Sequence, residues 1–415
     1  MSYFTQISYA DTGSLDAFSR LRISNPEALF ATQTQYNSDS VQLETGVTGT
    51  GIASSYSTST RMTALAVGAG TGTAFLQGYD YLPYQTGKSQ LIATTFVIGT
   101  AVAGAVVDVG YFDANNGVIF RQNGTTNLQF VLRTSTGGSV SDANVVAQSV
   151  WNIDKFDGTG PSGITLDITK SQILFIDLQF LAMGRVRIGF DVNGVVYYAH
   201  QFLNANNLSV PYMQTATLPI GMFINATTIG STKTTYFKCA TVQSEGGAEN
   251  LTGNWLSTPS VSATAGNATR VPILAIRPKT TFNGITNRMT FVLENINLFV
   301  TGNQDVFWEL VIGGAYSGQT YADVNTTYSS FEYTSVPGAY TNLTGGIVIA
   351  SGFMSRLGGT NNGNPINVVS TTGFNYPITL DRSGAVRALG TLTLLVQGLG
   401  GTSTCQASFN YREIS

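Results

Sequence analysis

Charge is the first thing this sequence lacks. Of its 415 residues, 20 are Lys or Arg and 23 are Asp or Glu, 10% in all, against roughly 25% in ordinary soluble domains. So few charges give no basic footprint for nucleic acid and no strong field for steering a charged ligand. Histidine is rarer still. His200 is the single one, which leaves catalytic triads, histidine-metal clusters and most acid–base schemes without their central residue. Cys239 and Cys405 are too few for a disulfide framework, the usage of a chain assembled in a reducing cytosol. The opening MSYFTQISYADTG has neither the basic nor the apolar stretch of a secretion signal, so export is not expected. One long, nearly uncharged run stands out, Leu91–Gly110. Its β-branched content and its breaks at Gly99 and Ala103-Gly104 predict two strands and a turn, not membrane insertion. Amphipathic helical spacing longer than about two turns is also missing.

What is present is period-two patterning, clearest in Ile164–Phe202. Ile176, Leu178 and Phe180 alternate with Asp177 and Gln179. Val186, Ile188, Phe190 and Val192 alternate with Arg185, Arg187 and Asp191. Such alternation marks strands with one buried face. Asn193-Gly194 supplies the two positive-φ residues of a type I′ hairpin turn. Keeping the apolar set on one face places Phe180 opposite Gly184, Leu178 opposite Val186 and Ile176 opposite Ile188, around a loop at Leu181–Met183. Asp177 then faces Arg187 as a structural cross-strand pair. The same turn puts His200 with Val196 and Tyr198, on the face opposite Val192, as a packed imidazole.

Short runs at Thr95–Ile98, Ala105–Gly110, Gly117–Arg121 and Leu128–Arg133, with turn chemistry at Asn116-Gly117, suit an all-β sandwich. Gln243–Thr258 interrupts the pattern with glycine and polar residues. Beyond it, Val271–Pro278, Asn287–Val300, Phe307–Ile312, Gly346–Phe353, Leu389–Gln397 and Ala407–Ile414 resume it, with Gly-Gly turns at 313–314, 345–346 and 400–401. The expected fold is all-β: an N-terminal docking arm over 1–45, a first β-sandwich over 46–245 and a second over 259–415.

Candidate chemistry is sparse. Asp177, Asp191, Glu294 and Glu309 lie in predicted strands, and paired carboxylates would suit glycoside cleavage, but Asp177 already has Arg187 opposite. Asp154, Asp157 and Gly158 offer oxygens to calcium at a spacing that matches no established loop. The glycine-rich runs lack a GK[ST] for phosphate. Tyr79, Tyr81 and Tyr84 offer rings to a sugar or to a neighbouring strand or subunit. No catalytic residue, metal or cofactor is expected.

One segment carries a resemblance. Asp16-Ala17-Phe18-Ser19-Arg20-Leu21-Arg22-Ile23-Ser24-Asn25-Pro26, followed by Leu29-Phe30, resembles the D-A-F-x-R-L-R-x-S-N-P segment near the N-terminus of virion structural proteins of tailed bacteriophages. The resemblance continues through G-Y-F-D-x-x-N-G at 110–117, L-D-x-T-K-S-Q-I-L-F-I-D-x-Q-F-L at 166–181, G-R-V-R-x-G-F at 184–190 and Leu218-Pro219-Ile220. It extends more loosely to the terminal S-F-N-Y-R-E-I, and Ala182 stands where glycine is expected. It implies a concanavalin-A-like jelly roll for the first sandwich. It also implies a non-enzymatic place in the virion, as a capsid-surface decoration, head fibre, or neck or tail appendage assembled in the host cytoplasm. A surface this poor in charge favours symmetric association, and by analogy with phage fibres a homotrimer is expected, bound to other capsid or tail proteins. A tail-fibre module for a host-surface glycan is the second reading, and a polysaccharide-degrading tailspike the third. Leu15, Phe18, Leu21, Leu29 and Phe30 are large apolar groups without strand alternation. Arg20 and Arg22 point the same way in an extended arm, suited to a partner's carboxylates or carbonyls. With Asp16, Asn25 and Pro26 they make the expected docking element, the Asn25-Pro26 step turning the chain out of a partner's groove.

Overall fold

The computed structural model describes residues 15–20, 26–125, 127–247, 253–267, 269–314, 320–334, 346–356, 367–368 and 377–415. Among these, every regular element is a strand except one 3-10 turn at Gln148–Val150. No helix among them is long and apolar enough to cross a membrane. The chain forms two compact units, Met1–Gly78 with Leu82–Asn250, and Leu251–Ser415 with Tyr79–Tyr81.

The first unit holds thirteen antiparallel strands. β1 (Pro26–Gln33), β2 (Leu43–Ser57), β3 (Met62–Gly78) and β4 (Ser89–Val97) come first. β5 (Ala105–Phe112), β6 (Gly117–Asn123), β7 (Asn127–Thr134) and β8 (Ser141–Ala147) follow as a meander. Then come β9 (Gln172–Leu178), β10 (Val186–Val192), β11 (Val195–Phe202), β12 (Ile220–Ile229) and β13 (Lys233–Glu245). Their order in space is β11-β10-β9-β4-β13-β3-β12-β5-β6-β7-β8, with β1 on β13 and β2 on β3. The sheet folds over on itself. β6 and β10 are far apart in that order, yet Phe120 and Phe190 meet edge to face with ring centroids 5.1 Å apart. Val107, Val109, Phe120, Ile176 and Ile188 belong to the core so enclosed. Burying each large apolar side chain contributes roughly 1.5–3 kcal/mol, so one apolar face repeated along many strands closes against itself. Leu91–Gly110 forms β4 and β5 with positive φ at Gly99 and Gly104 between them.

The central meander keeps its expected register. Leu178, Asp177 and Ile176 pair with Val186, Arg187 and Ile188. The Gly184 N–H donates to the Phe180 carbonyl at 2.8 Å. Asn193 at φ 58° and Gly194 at φ 83° make the turn, with Val192 opposite Val195. His200 is a correction. The register slips between Ile188 and Gly189, so His200 pairs with Ile188 while Tyr198 pairs with Gly189. The bulge turns His200 onto the core face and leaves Tyr198 on the outer one.

The arm over 1–45 is also corrected. From Pro26 onward it is sheet: β1 runs antiparallel to β13, from Pro26 opposite Glu245 to Gln33 opposite Cys239. Proline is tolerated at the first residue of an edge strand, where no N–H is required. Pro26 therefore opens a strand instead of turning the chain away. Leu29 is half-buried and Phe30 lies in the core.

The second unit is two larger sheets about one core, with a separate two-stranded hairpin formed by its fourth and fifth strands. Its strands are β14 (Asn254–Ser257), β15 (Val261–Ala265), β16 (Val271–Pro278), β17 (Thr281–Phe282), β18 (Ile285–Thr286) and β19 (Thr290–Val300). They continue with β20 (Val306–Ile312), β21 (Ala322–Asp323), β22 (Phe331–Thr334), β23 (Ile347–Met354), β24 (Asn367–Val368), β25 (Leu392–Gly398) and β26 (Ser403–Ile414). One sheet runs β14-β26-β19-β24 with β15 also on β26, and the other runs β21-β22-β16-β25-β20-β23. Leu293, Ile296 and Phe409 from the first share the core with Ile276, Leu310 and Leu394 from the second.

Candidate functional site

The segment Leu15–Arg20 is built around Asp16. Its carboxylate accepts from the N–H groups of Phe18 at 2.9 Å and Arg20 at 2.8 Å. It also takes the Arg20 guanidinium at 2.7 Å. The Asp16 N–H donates to the Arg20 carbonyl at 2.8 Å, which closes a tight loop. Aspartate makes such turns because its short side chain reaches nearby backbone N–H groups. The Arg20 guanidinium lies 4.9 Å from the centre of the Phe18 ring.

Two arginines of β10 and its approach hold this hook. Arg187 Nη2 donates to the Leu15 carbonyl at 2.6 Å. Arg185 Nη2 donates to the Ala17 carbonyl and to Ser19 Oγ, both at 3.2 Å. Arg187 and Asp177 are both fully buried, on the face of β9 and β10 turned away from the core, and pair at 2.5 Å. The Tyr198 hydroxyl donates to the same Asp177 oxygen, and its ring lies 4.3 Å from the Arg187 guanidinium. An exposed pair is worth under ~1 kcal/mol. Burial puts this one in another class, in which losing one partner is costly.

The expected docking residues thus divide. Leu15 and Phe18 are half-buried, and Asp16 is buried. Arg20, expected to reach a partner, instead closes on Asp16 of its own segment. Leu21, Arg22 and Asn25 lie outside the described residues.

The three tyrosines are turned inward instead of standing out as a sugar platform. Tyr84 packs edge to face on Phe180 at 5.4 Å, and its hydroxyl accepts from the Leu181 N–H at 3.3 Å. In the second unit Tyr81 is buried with its ring 4.2 Å from the Arg288 guanidinium, and Tyr79 lies 3.6 Å from that of Arg387. Between them, burial pushes the Asp80 carboxyl up from 3.8 to about 6, against the pull of the Arg387 charge. The folded state therefore holds this proton more tightly than the unfolded chain. Stability from this group is fullest below about pH 4 and falls as pH rises to about 6. Asp80→Asn is expected to raise the unfolding free energy of the second unit by about 1–2 kcal/mol at pH 7.5, with little change near pH 4. Urea titrations at the two pH values check this. A variant weakened at pH 7.5 would mean that the Arg387 attraction outweighs desolvation.

His200 is packed among aromatic rings. Its ring centroid is 4.6 Å from that of Phe202 and 6.4 Å from that of Phe130. Its Nδ1 accepts from the Asn152 N–H at 3.2 Å, and burial pulls its pKa down to about 4. The carboxylates weighed for chemistry are each engaged locally. Asp154 accepts from the N–H groups of Phe156 and Ser162, and Asp157 from Thr159. Asp191 accepts from the Gly194 N–H, Glu294 pairs with Arg412, and Glu309 with Arg270. Among the described residues, no group of three or more His, Cys, Asp or Glu is placed to hold a metal ion.

One charged cluster went unnoticed in the sequence. Arg121 of β6 donates to Asp108 of β5 at 2.6 and 2.8 Å and to Asp142 of β8 at 2.8 Å. Arg133 of β7 donates to Asp142 at 2.9 and 3.1 Å. The signal was the β5–β6 hairpin register, which sets Asp108 opposite Arg121.

No family model matches this chain, and no curated protein does. Among solved structures it is similar to peanut lectin with a 9-mer peptide, at 9% identity and a TM-score of 0.32 over 53% of this chain and 98% of that one. It is similar to the CBM2 module of the evolved Dit of Lactobacillus casei BL23 phage J-1, at 8% identity and 0.35 over 55% and 99%. A glycosyl hydrolase family protein from Mycobacterium fortuitum stands at 12% and 0.35 over 52% and 99%. A lectin, a phage module and a hydrolase stand at the same distance, so these likenesses choose no activity.

Proposed function

We propose that this chain is a non-enzymatic structural subunit of a bacteriophage virion, a capsid-surface decoration, head fibre, or neck or tail appendage. In this reading it associates with copies of itself and with other virion proteins. The observation that carries the reading is the seat of Leu15–Arg20. The stretch that resembles the phage segment is the one gripped by the buried Arg187 and by Arg185. Buried charge in an enzyme is commonly aimed at a reacting group. Here it fixes a backbone hook, so the attachment element is a shaped loop leading straight into Leu21 and Arg22. A charge-poor exterior adds weak self-repulsion, which suits dense packing.

Immunogold labelling of intact particles tests the assignment, with gold expected on head, neck or tail. Removing residues 1–20 spares β1, and the shortened chain is expected to fold but to be missing from particles. Unlabelled particles, or normal copy number of the shortened chain, would overturn the reading.

A further inference from the structure

The residues Ile347–Met354 read Ile-Val-Ile-Ala-Ser-Gly-Phe-Met, without charge or proline. They form β23, the last strand of a six-stranded sheet. One side pairs with β20, from Val306 opposite Met354 to Ile312 opposite Ile347, with a single slip near Ile349. Among the described residues, no strand lies along its other side. Ile347, Val348 and Phe353 are exposed, Phe353 at 75%, with its ring 5.2 Å from Phe307.

Free edges invite another strand, and natural sheets blunt them with charge, proline, bulges or a covering segment. Three edges of the first unit are blunted in these ways. β11 is capped by Asn152, whose side chain accepts from the Gln201 N–H and donates to the Gln201 carbonyl, both at 2.9 Å. The Ile153 and Asp154 N–H groups both donate to the Ala199 carbonyl. β2 carries Glu44 and two register slips. β8 carries Asp142, bound to Arg121 and Arg133. β23 has one slip and no charge.

We propose that β23 is a strand-addition site for a second copy of this chain, the two β23 strands running antiparallel about a two-fold axis. This rests on the self-associating role proposed above and names one of its contacts. Two features select a second copy as the occupant. A strand without charge meets itself with no like charges opposed, the condition that otherwise penalises self-pairing. Centred on Ser351, with Ile349 left out of the ladder as it is against β20, the pairing also sets Val348 against Phe353 of the second copy, twice, and so covers the two most exposed apolar side chains of the strand. A two-fold contact is self-complementary and closed. It makes pairs, so it is separate from any threefold contact.

Size-exclusion chromatography with light scattering, on the full chain at tens of micromolar, tests it. The double variant Val348→Lys/Phe353→Lys and the milder Phe353→Ser run alongside. The parent is expected at twice the monomer mass and the double variant at half the parent value, with unchanged circular dichroism and melting. Phe353→Ser is expected to weaken the pair about ten-fold, and it decides the matter if the double variant fails to fold. A parent oligomer that both variants leave intact, or a trimeric mass, overturns the β23 contact and leaves self-association standing. A monomeric parent overturns both.

Discussion

Replacing Arg187 with methionine is expected to lower the unfolding free energy of the first unit by about 3–5 kcal/mol. Methionine keeps most of the apolar stem and removes the guanidinium. Asp177, fully buried, then loses its cation, and the Leu15 carbonyl loses its donor. Urea unfolding measures the first loss, and tryptic cleavage at Arg20 measures the second. Adding Asp177→Leu is expected to recover part of the stability, because no lone charge stays buried. It does not restore the seat of the hook. Cleavage at Arg20 should therefore stay fast in the double variant while the melting point climbs back. A single variant as stable as its parent would show that the pair contributes nothing to the fold.

Acid is expected to weaken the first unit through His200 by about 2–3 kcal/mol between pH 7 and pH 4.5. The imidazole has its folded pKa pulled from 6.5 to about 4 by burial. The unfolded chain binds the proton first, so stability is fullest above about pH 6.5 and is lost as pH falls toward 4. Other groups titrate in this range, so the comparison is with His200→Gln. Glutamine keeps an acceptor for the Asn152 N–H and takes up no proton. Its loss of ring contacts is expected to cost about 1–2 kcal/mol at pH 7. Its further decline to pH 4.5 should be smaller than the parent's by the amount above. Parallel declines in the two proteins would mean that His200 is solvated.

The meander from Ile176 to Val192 was legible because alternation and Asn193-Gly194 constrain its register from both ends. His200 was not, because the slip beside Ile188 inserts one residue and turns over every later side chain. Nothing in Val195–Phe202 announces that slip. β1 was hidden for a different reason. Of Pro26–Gln33 only Phe30 and Thr32 are buried, and the strand exists because the distant Cys239–Glu245 pairs with it. The hook at Asp16 shows the same division. Its internal turn follows from one aspartate, but its seat depends on Arg185 and Arg187, and the strand pattern matches Arg187 only with Asp177. Tyr79 and Tyr81 read as rings open to a sugar because the arginines against them lie more than 200 residues further along the chain.

The seat of Leu15 also sets how the chain bears tension. The chain meets Arg187 before it enters β1. A pull on residues ahead of Leu15 therefore reaches one side chain–carbonyl bond before any bond of the β1–β13 ladder. That bond, with the Arg185 bonds to Ala17 and Ser19 and the Asp16 loop behind it, can yield and let out slack from Leu15 to Arg20 while the sheet stays whole. Strained at this joint, the chain would lengthen by a short tether before it lost a domain.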